Sequence, residues 1–123
     1  FYGQSKLANL MFSRELHRRL REKGSKIQSI AVHPGYSDTN LQSGTGFALF
    51  NRFFAQPQRM GCYPSLYAAT SDEARSGEYY GPNGFMEMAG YPAKAHVRKL
   101  ARNQDVARKL WQVSENLTGV QYL

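Results

Sequence analysis

What most constrains this chain is a succession near its start, where a long proline-free stretch with helical periodicity runs through Gly24 into an apolar segment stopped by His33-Pro34-Gly35. From about Ser5 to Lys23, Leu7, Met11, Leu16 and Leu20 recur at helical spacing, with Leu10 and Phe12 beside them. The early turns read as buried on several sides and the later turns as amphipathic, with Leu16 and Leu20 inward and the arginines outward. Gly24 stands where a left-handed cap ends a helix, and Lys23 suits the negative end of its dipole. Ile27 to Val32 then reads as a short strand, and Ile30-Ala31-Val32 has the unbroken apolar character of a strand covered on both faces. A helix feeding a short buried strand that ends in a turn of small polar residues is half of a βαβ crossover. Sheets built this way bind ligands beyond the carboxyl ends of their strands, which makes Pro34 to Thr39 the place to look for one.

The remainder adds one helix at the end and a less regular middle. In residues 40–57, Leu41, Phe47, Leu49, Phe50, Phe53 and Phe54 give apolar mass without a clean period, and a short amphipathic helix and a mobile flap both fit. Met60 to Thr70 reads as a helix in which Pro64 must lie near the first turn or kink it. Glu78-Tyr79-Tyr80 suggests a strand bounded by Gly77 and the turn Gly81-Pro82-Asn83-Gly84. Asn103 caps a last helix with Asp105 in its first turn, Val106, Leu110, Val113 and Leu117 on one face, and Gly119 closing it. Without an internal repeat or a linker-like composition shift, the chain reads as one domain or part of one.

Composition narrows the classes. At 123 residues and 41% hydrophobic, the chain can bury a core, which excludes disorder and collagen-like order. The single cysteine, Cys62, forms no internal disulfide and reads as a small buried hydrophobe; with no paired Cys/His spacing, no metal site is expected. A reduced, cytoplasmic protein is the expectation, with no transmembrane segment or signal peptide and at most peripheral membrane contact. The start at Phe1, inside what reads as a helix, leads us to expect an N-terminal portion ahead of it.

The net charge of +7 is uneven, with seven basic and two acidic residues in 1–26, three and five in 27–93, and six and two in 94–123. Basic ends suit nucleic acid, an acidic membrane or an anionic cofactor, but also the solvated side of a helix. Without interleaved aromatic and basic residues or a nucleic-acid motif, no nucleic-acid partner is expected.

The residues that carry chemistry stand at the start. Tyr2 and Lys6 are four apart, so on a helix a phenol and an ammonium lie one turn apart on one face. Spacing alone is weak, since a chain with 8 Tyr and 6 Lys contains about 0.4 such pairs by chance. Taken alone, the pair also fits a tyrosine packed on the core beside a surface lysine. Its context is more specific. Tyr2-Gly3-Gln4-Ser5-Lys6-Leu7-Ala8-Asn9 precedes a buried strand ending in His33-Pro34-Gly35-Tyr36-Ser37-Asp38-Thr39. Together these resemble the short-chain dehydrogenase/reductase family, in which a Tyr-x-x-x-Lys helix is followed by a strand ending in Pro-Gly-x-(Val/Ile)-x-Thr. Further along, Ser76-Gly77-Glu78-Tyr79-Tyr80-Gly81-Pro82 and Leu110-Trp111-Gln112-Val113-Ser114-Glu115-Asn116-Leu117-Thr118-Gly119 look like the tail of the family's retinol-dehydrogenase-like branch, specifically its bacterial relatives.

The resemblance covers the whole chain and implies an α/β fold, the C-terminal part of a doubly wound parallel-sheet, Rossmann-type domain. The family's glycine-rich dinucleotide turn and its catalytic serine are upstream of the tyrosine and are absent from residues 1–123. The implied function is NAD- or NADP-dependent interconversion of a carbonyl and an alcohol on a small molecule. A phenol titrates near ~10, holds its proton at neutral pH, and can give it to an oxygen becoming an alkoxide. A neighbouring ammonium and a positively charged nicotinamide ring both favour the phenolate that the reverse reaction needs. Tyr2 is thereby the implied proton donor and acceptor, and Lys6 its activator and the anchor of the nicotinamide ribose. Pro34, Gly35, Ser37 and Thr39 are the implied contacts to the nicotinamide carboxamide and pyrophosphate. Ser37 departs from the usual Val or Ile at a contact commonly made through backbone, and Ser37 and Thr39 also suit helix capping ahead of Asn40-Leu41. His33 could orient this turn or simply be satisfied by backbone. Phe50 and Phe53 are expected to line a hydrophobic substrate pocket. The alternative is a non-catalytic binding or scaffold protein with a vestigial site, its basic ends on an anionic partner.

Overall fold

Helical periodicity without a proline makes Tyr2–Glu22 one continuous helix, α1, and Gly24 ends it as its sequence suggests. Gly24 has φ +66°, its N–H reaches the Arg21 carbonyl at 3.0 Å, and the Ser25 N–H reaches that of Leu20 at 2.9 Å. Those two bonds form the left-handed Schellman closure that satisfies otherwise orphaned carbonyls. The computed structural model describes residues 2–35 and 58–123. They divide into two compact units, one within Phe1–Ala31, Arg75–Glu78 and His96–Leu123, the other within Val32–Ala74 and Tyr79–Ala95.

In the first unit, α1 packs on the C-terminal helix Gln104–Thr118 (α4) and on the short 3-10 turn Lys99–Arg102 that precedes it. Trp111, 2% exposed, is the anchor. Phe12 stacks on its ring with centroids 4.8 Å apart, the Arg19 guanidinium lies 4.6 Å from its ring centroid, and its Nε1 donates to Glu115 Oε1 at 2.8 Å. Met11 and Leu20 are buried on α1, and with them the carboxylate of Glu15, which accepts hydrogen bonds from Arg18 and Arg19. A charge that deep is tolerated only when paired in this way. On the early turns Leu7, Ala8 and Leu10 are half-buried and Phe12 is exposed within residues 1–123.

Helix α4 is capped as expected at both ends. The Asn103 side chain accepts from the N–H groups of Asp105 and Val106 at 3.0 and 3.2 Å, and Gly119 closes the helix at φ +68°. Asn103→Ala is therefore expected to lower stability by about 1 kcal/mol, whereas Asn103→Asp should keep it, as measured by denaturant unfolding. Val106, Leu110, Val113 and Leu117 do share a side, but Val113 and Leu117 are 44% and 81% exposed, and Ala107 and Trp111 are the buried pair. The indole carries more apolar area than any aliphatic on the helix, so it sets the rotation of α4.

The connection out of α1 is also shorter in regular structure than its apolar run implies. Pairing as a strand is confined to Ala31–Val32 (β1), and Ile27 is exposed. Hydrogen bonds from Ala31 N to Glu78 O and from His33 N to Tyr80 O advance in the same direction, so β1 runs parallel to Tyr79–Pro82 (β2). The order is β1-β2-β3, with β3 at Pro92–Lys94 antiparallel to β2 in the register Tyr80↔Lys94, Gly81↔Ala93 and Pro82↔Pro92. An apolar run is buried only as far as neighbours cover it, and among the described residues β2 is the strand beside β1.

In the second unit, the expected helix from Met60 to Thr70 is divided into Gln58–Gly61 (α2) and Tyr63–Thr70 (α3), with Pro64 in the first turn of α3, where its missing N–H costs nothing. α3 lies against β2 and β3, and the rings of Tyr67 and Tyr80 meet at 5.1 Å. Among the described residues, no helix is long and apolar enough to cross a membrane, and no group of three or more His, Cys, Asp or Glu side chains is placed to hold a metal. Cys62 is exposed, a correction to its expected burial.

Candidate functional site

The opening turn of α1 places Tyr2 and Lys6 on one face, as four-residue spacing requires. Lys6 Nζ lies 5.3 Å from the centroid of the Tyr2 ring. Ser5, between them in sequence, donates its hydroxyl hydrogen bond to the Tyr2 carbonyl at 2.8 Å. Within residues 1–123 the Tyr2 side chain is 77% exposed. The helix holds a phenol and an ammonium close together. Such a pair can exchange a proton with a bound oxygen while holding an anionic or hydroxylated group.

In the second unit, Pro34 and Gly35 follow β1. Gly35 has φ +72°, a conformation open to glycine and strained for other residues. A Cβ at Gly35 would stand 2.4 Å from the Met88 carbonyl oxygen and 2.6 Å from Pro82 Cγ. The glycine thus admits the protein's own loop, a close approach that sequence reasoning assigns to a ligand. Ser37 and Thr39, together with Phe50 and Phe53, lie outside the described residues.

His33 connects this turn to its surroundings. Its Nδ1 accepts from Gly35 N–H at 3.3 Å, and its buried Nε2 lies 3.2 Å from Glu87 Oε2, near enough for an ion pair but without hydrogen-bond alignment. Tyr79 packs on the ring at 5.0 Å, and Gly81 leaves room for it, since a Cβ there would fall 1.9 Å from Nε2. Burial pushes the imidazole below the ordinary histidine range, and Glu87 offsets only part of that shift. The ring is neutral at neutral pH, with Nδ1 free to accept.

Glu87 was not legible in the sequence. It sits in the short turn Phe85–Glu87, where Met86 and Glu87 take φ values of +51° and +58°. Two consecutive non-glycine residues in the left-handed region cost about 1–2 kcal/mol each. Nothing in the local sequence announces them, because the usual sign of such a conformation is a glycine or asparagine.

No protein-family profile matches the chain. Similarity to individual proteins is extensive. The chain is 34% identical to the short-chain dehydrogenase/reductase drtF of Aspergillus calidoustus over 93% of its own residues, and 36% identical to retinol dehydrogenase 11 of Homo sapiens over 97%. Over nearly all of its length the chain is thus similar to members of the short-chain dehydrogenase/reductase family. It spans only 38% and 36% of those two relatives, so just over a third of a family member's length is in view. A crystal structure of an uncharacterised protein from Mycobacterium paratuberculosis superposes with a TM-score of 0.76 at 35% identity, covering 99% of this chain and 40% of that one. Helices and a mixed parallel and antiparallel sheet in this arrangement are part of a Rossmann-type α/β domain.

Proposed function

We propose that the chain is the C-terminal part of a single short-chain dehydrogenase/reductase domain and supplies the proton-transfer residues of an NAD- or NADP-dependent oxidoreductase that interconverts a carbonyl and an alcohol. The observation that carries this reading is the exposed Tyr2/Lys6 pair on one helical turn, in a chain 34–36% identical to named dehydrogenases. Coverage of little more than a third of each relative supports the reading as a portion of the domain.

The residues present fit a nicotinamide dinucleotide, since a solvent-facing ammonium can anchor ribose hydroxyls beside a phenol within reach of a reacting oxygen. Bound NAD(P) supplies or accepts the hydride. In the reducing direction, Tyr2 gives its phenolic proton to the carbonyl oxygen as that oxygen gains negative charge. In the oxidising direction, the tyrosine oxygen takes the alcohol proton. Lys6 offsets the charge left on the tyrosine oxygen and holds the ribose. As the resemblance implies, Pro34, Gly35, Ser37 and Thr39 would hold the nicotinamide carboxamide and pyrophosphate.

A hydrophobic substrate is favoured by the aromatic content of residues 47–54, with Phe50 and Phe53 as its lining. Retinol dehydrogenases among the relatives support the same class. The test is an assay of the complete polypeptide with NADH and NADPH against apolar and polar aldehydes and ketones. Turnover of apolar substrates is expected, and Phe50→Ala with Phe53→Ala should raise their KM while leaving dinucleotide affinity unchanged. A protein that binds neither dinucleotide and turns over no carbonyl would instead be the scaffold.

A further inference from the structure

We infer that His33 and Glu87 are a positioning pair for the Pro34-Gly35 turn, holding it in the shape that receives the dinucleotide, so that cofactor affinity is set partly from the Phe85–Glu87 turn. The inference rests on the reading of Pro34-Gly35 as a cofactor contact. Gly35 is held on two sides. His33 Nδ1 accepts its N–H, and the Met88 carbonyl with the Pro82 ring fills the space where a side chain would stand. For Nδ1 to accept, the ring proton must reside on Nε2, and Glu87 Oε2 is the carboxylate facing that atom at 3.2 Å. The left-handed backbone of Met86 and Glu87 places that carboxylate there, and such strain persists only where the surrounding structure enforces it. Neither residue touches the reacting atoms; both act through Gly35.

The pair has a direction with pH. Among the described residues, the groups facing the imidazole are the Glu87 carboxylate from its turn, the Tyr79 ring and the Gly81 backbone from β2. Acidification protonates Nδ1, removes the acceptor for the Gly35 N–H and loosens the turn. Because burial lowers the histidine, this happens below its ordinary range, and because Glu87 favours imidazolium, Glu87→Gln must move it lower still.

The experiment uses the complete polypeptide and three readouts: NADPH or NADH affinity by fluorescence titration across pH, His33 titration by NMR, and hydrogen exchange at Gly35. His33→Ala and Glu87→Ala are expected to weaken dinucleotide binding about tenfold at neutral pH, with kcat at saturating cofactor little changed. Glu87→Gln, whose amide oxygen still faces Nε2, should bind as wild type at neutral pH but hold its affinity to lower pH. Gly35 exchange should quicken in His33→Ala and in acid. Wild-type affinity in both alanine variants, or an acid limb unmoved by Glu87→Gln, overturns the inference. Should Glu87→Ala fail to fold, the acid limb of Glu87→Gln decides. Failure of the oxidoreductase reading is told apart by the wild-type protein: if it binds no dinucleotide, that reading falls, and the His33 titration and Gly35 exchange alone judge whether the pair holds the turn.

Discussion

If Tyr2 is the proposed proton donor, Tyr2→Phe in the complete polypeptide should lower kcat by about two to four orders of magnitude, the usual contribution of a positioned general acid or base. The substitution deletes one oxygen and keeps the ring over which Lys6 Nζ stands at 5.3 Å. Because the ring and its packing are kept, stability should stay within about 0.5 kcal/mol of wild type. Dinucleotide affinity should also be largely retained. A loss of turnover under those conditions is chemical. Lys6→Ala should behave differently, weakening turnover and cofactor affinity together, because in the proposed mechanism its ammonium both favours the tyrosinate and holds the ribose. Single-turnover kinetics and fluorescence titration of NADPH or NADH separate the two effects. Tyr2→Phe with undiminished turnover would remove the tyrosine from the mechanism.

The parts of the fold legible in the sequence are those whose cause is local. The α1 helix follows from its periodicity and lack of proline, its end from Gly24, the break before α3 from Pro64, and both ends of α4 from Asn103 and Gly119. The pairing of Tyr2 with Lys6 is likewise local, a consequence of four-residue spacing. The less legible parts depend on partners distant in sequence. Which side of α4 is buried was decided by Phe12 and Arg19 on another helix, which receive Trp111 and leave Val113 and Leu117 outside. How far β1 extends depends on β2, some fifty residues on, which begins only at Tyr79. The tie between His33 and Glu87 joins residues 54 apart through a left-handed turn at two non-glycine residues, a conformation that no propensity favours. A glycine such as Gly35 is visible as a letter, but whether it admits a ligand or a neighbouring carbonyl is settled by packing.

Trp111→Ala should cost about 3–5 kcal/mol, a large share of the ~5–15 kcal/mol that stabilises a typical domain. The cavity left by a 2%-exposed indole lies between two helices joined by few other large side chains: on α1, Met11 and Leu20 are buried, and on α4 only Ala107 besides Trp111. Its loss also removes the ring 4.6 Å from the Arg19 guanidinium. Arg19 is one of the two donors to the buried Glu15 carboxylate. Burial raises that carboxyl, but hydrogen bonds from Arg18 and Arg19 outweigh it, and the group is held below its ordinary value of 4.5. A depressed carboxyl contributes stability that is present above its unfolded value and lost as pH falls through the folded one. With Arg19 less well held, that contribution shrinks, so the gap between wild type and Trp111→Ala should be widest near neutrality and narrow in acid. Trp111→Phe keeps a ring for Phe12 to stack on and loses the Nε1 bond to Glu115, so it should cost about 1–2 kcal/mol. Urea unfolding of the three proteins at neutral and acidic pH measures both effects. An alanine variant within 1 kcal/mol of wild type would mean that Trp111 does not anchor the two helices.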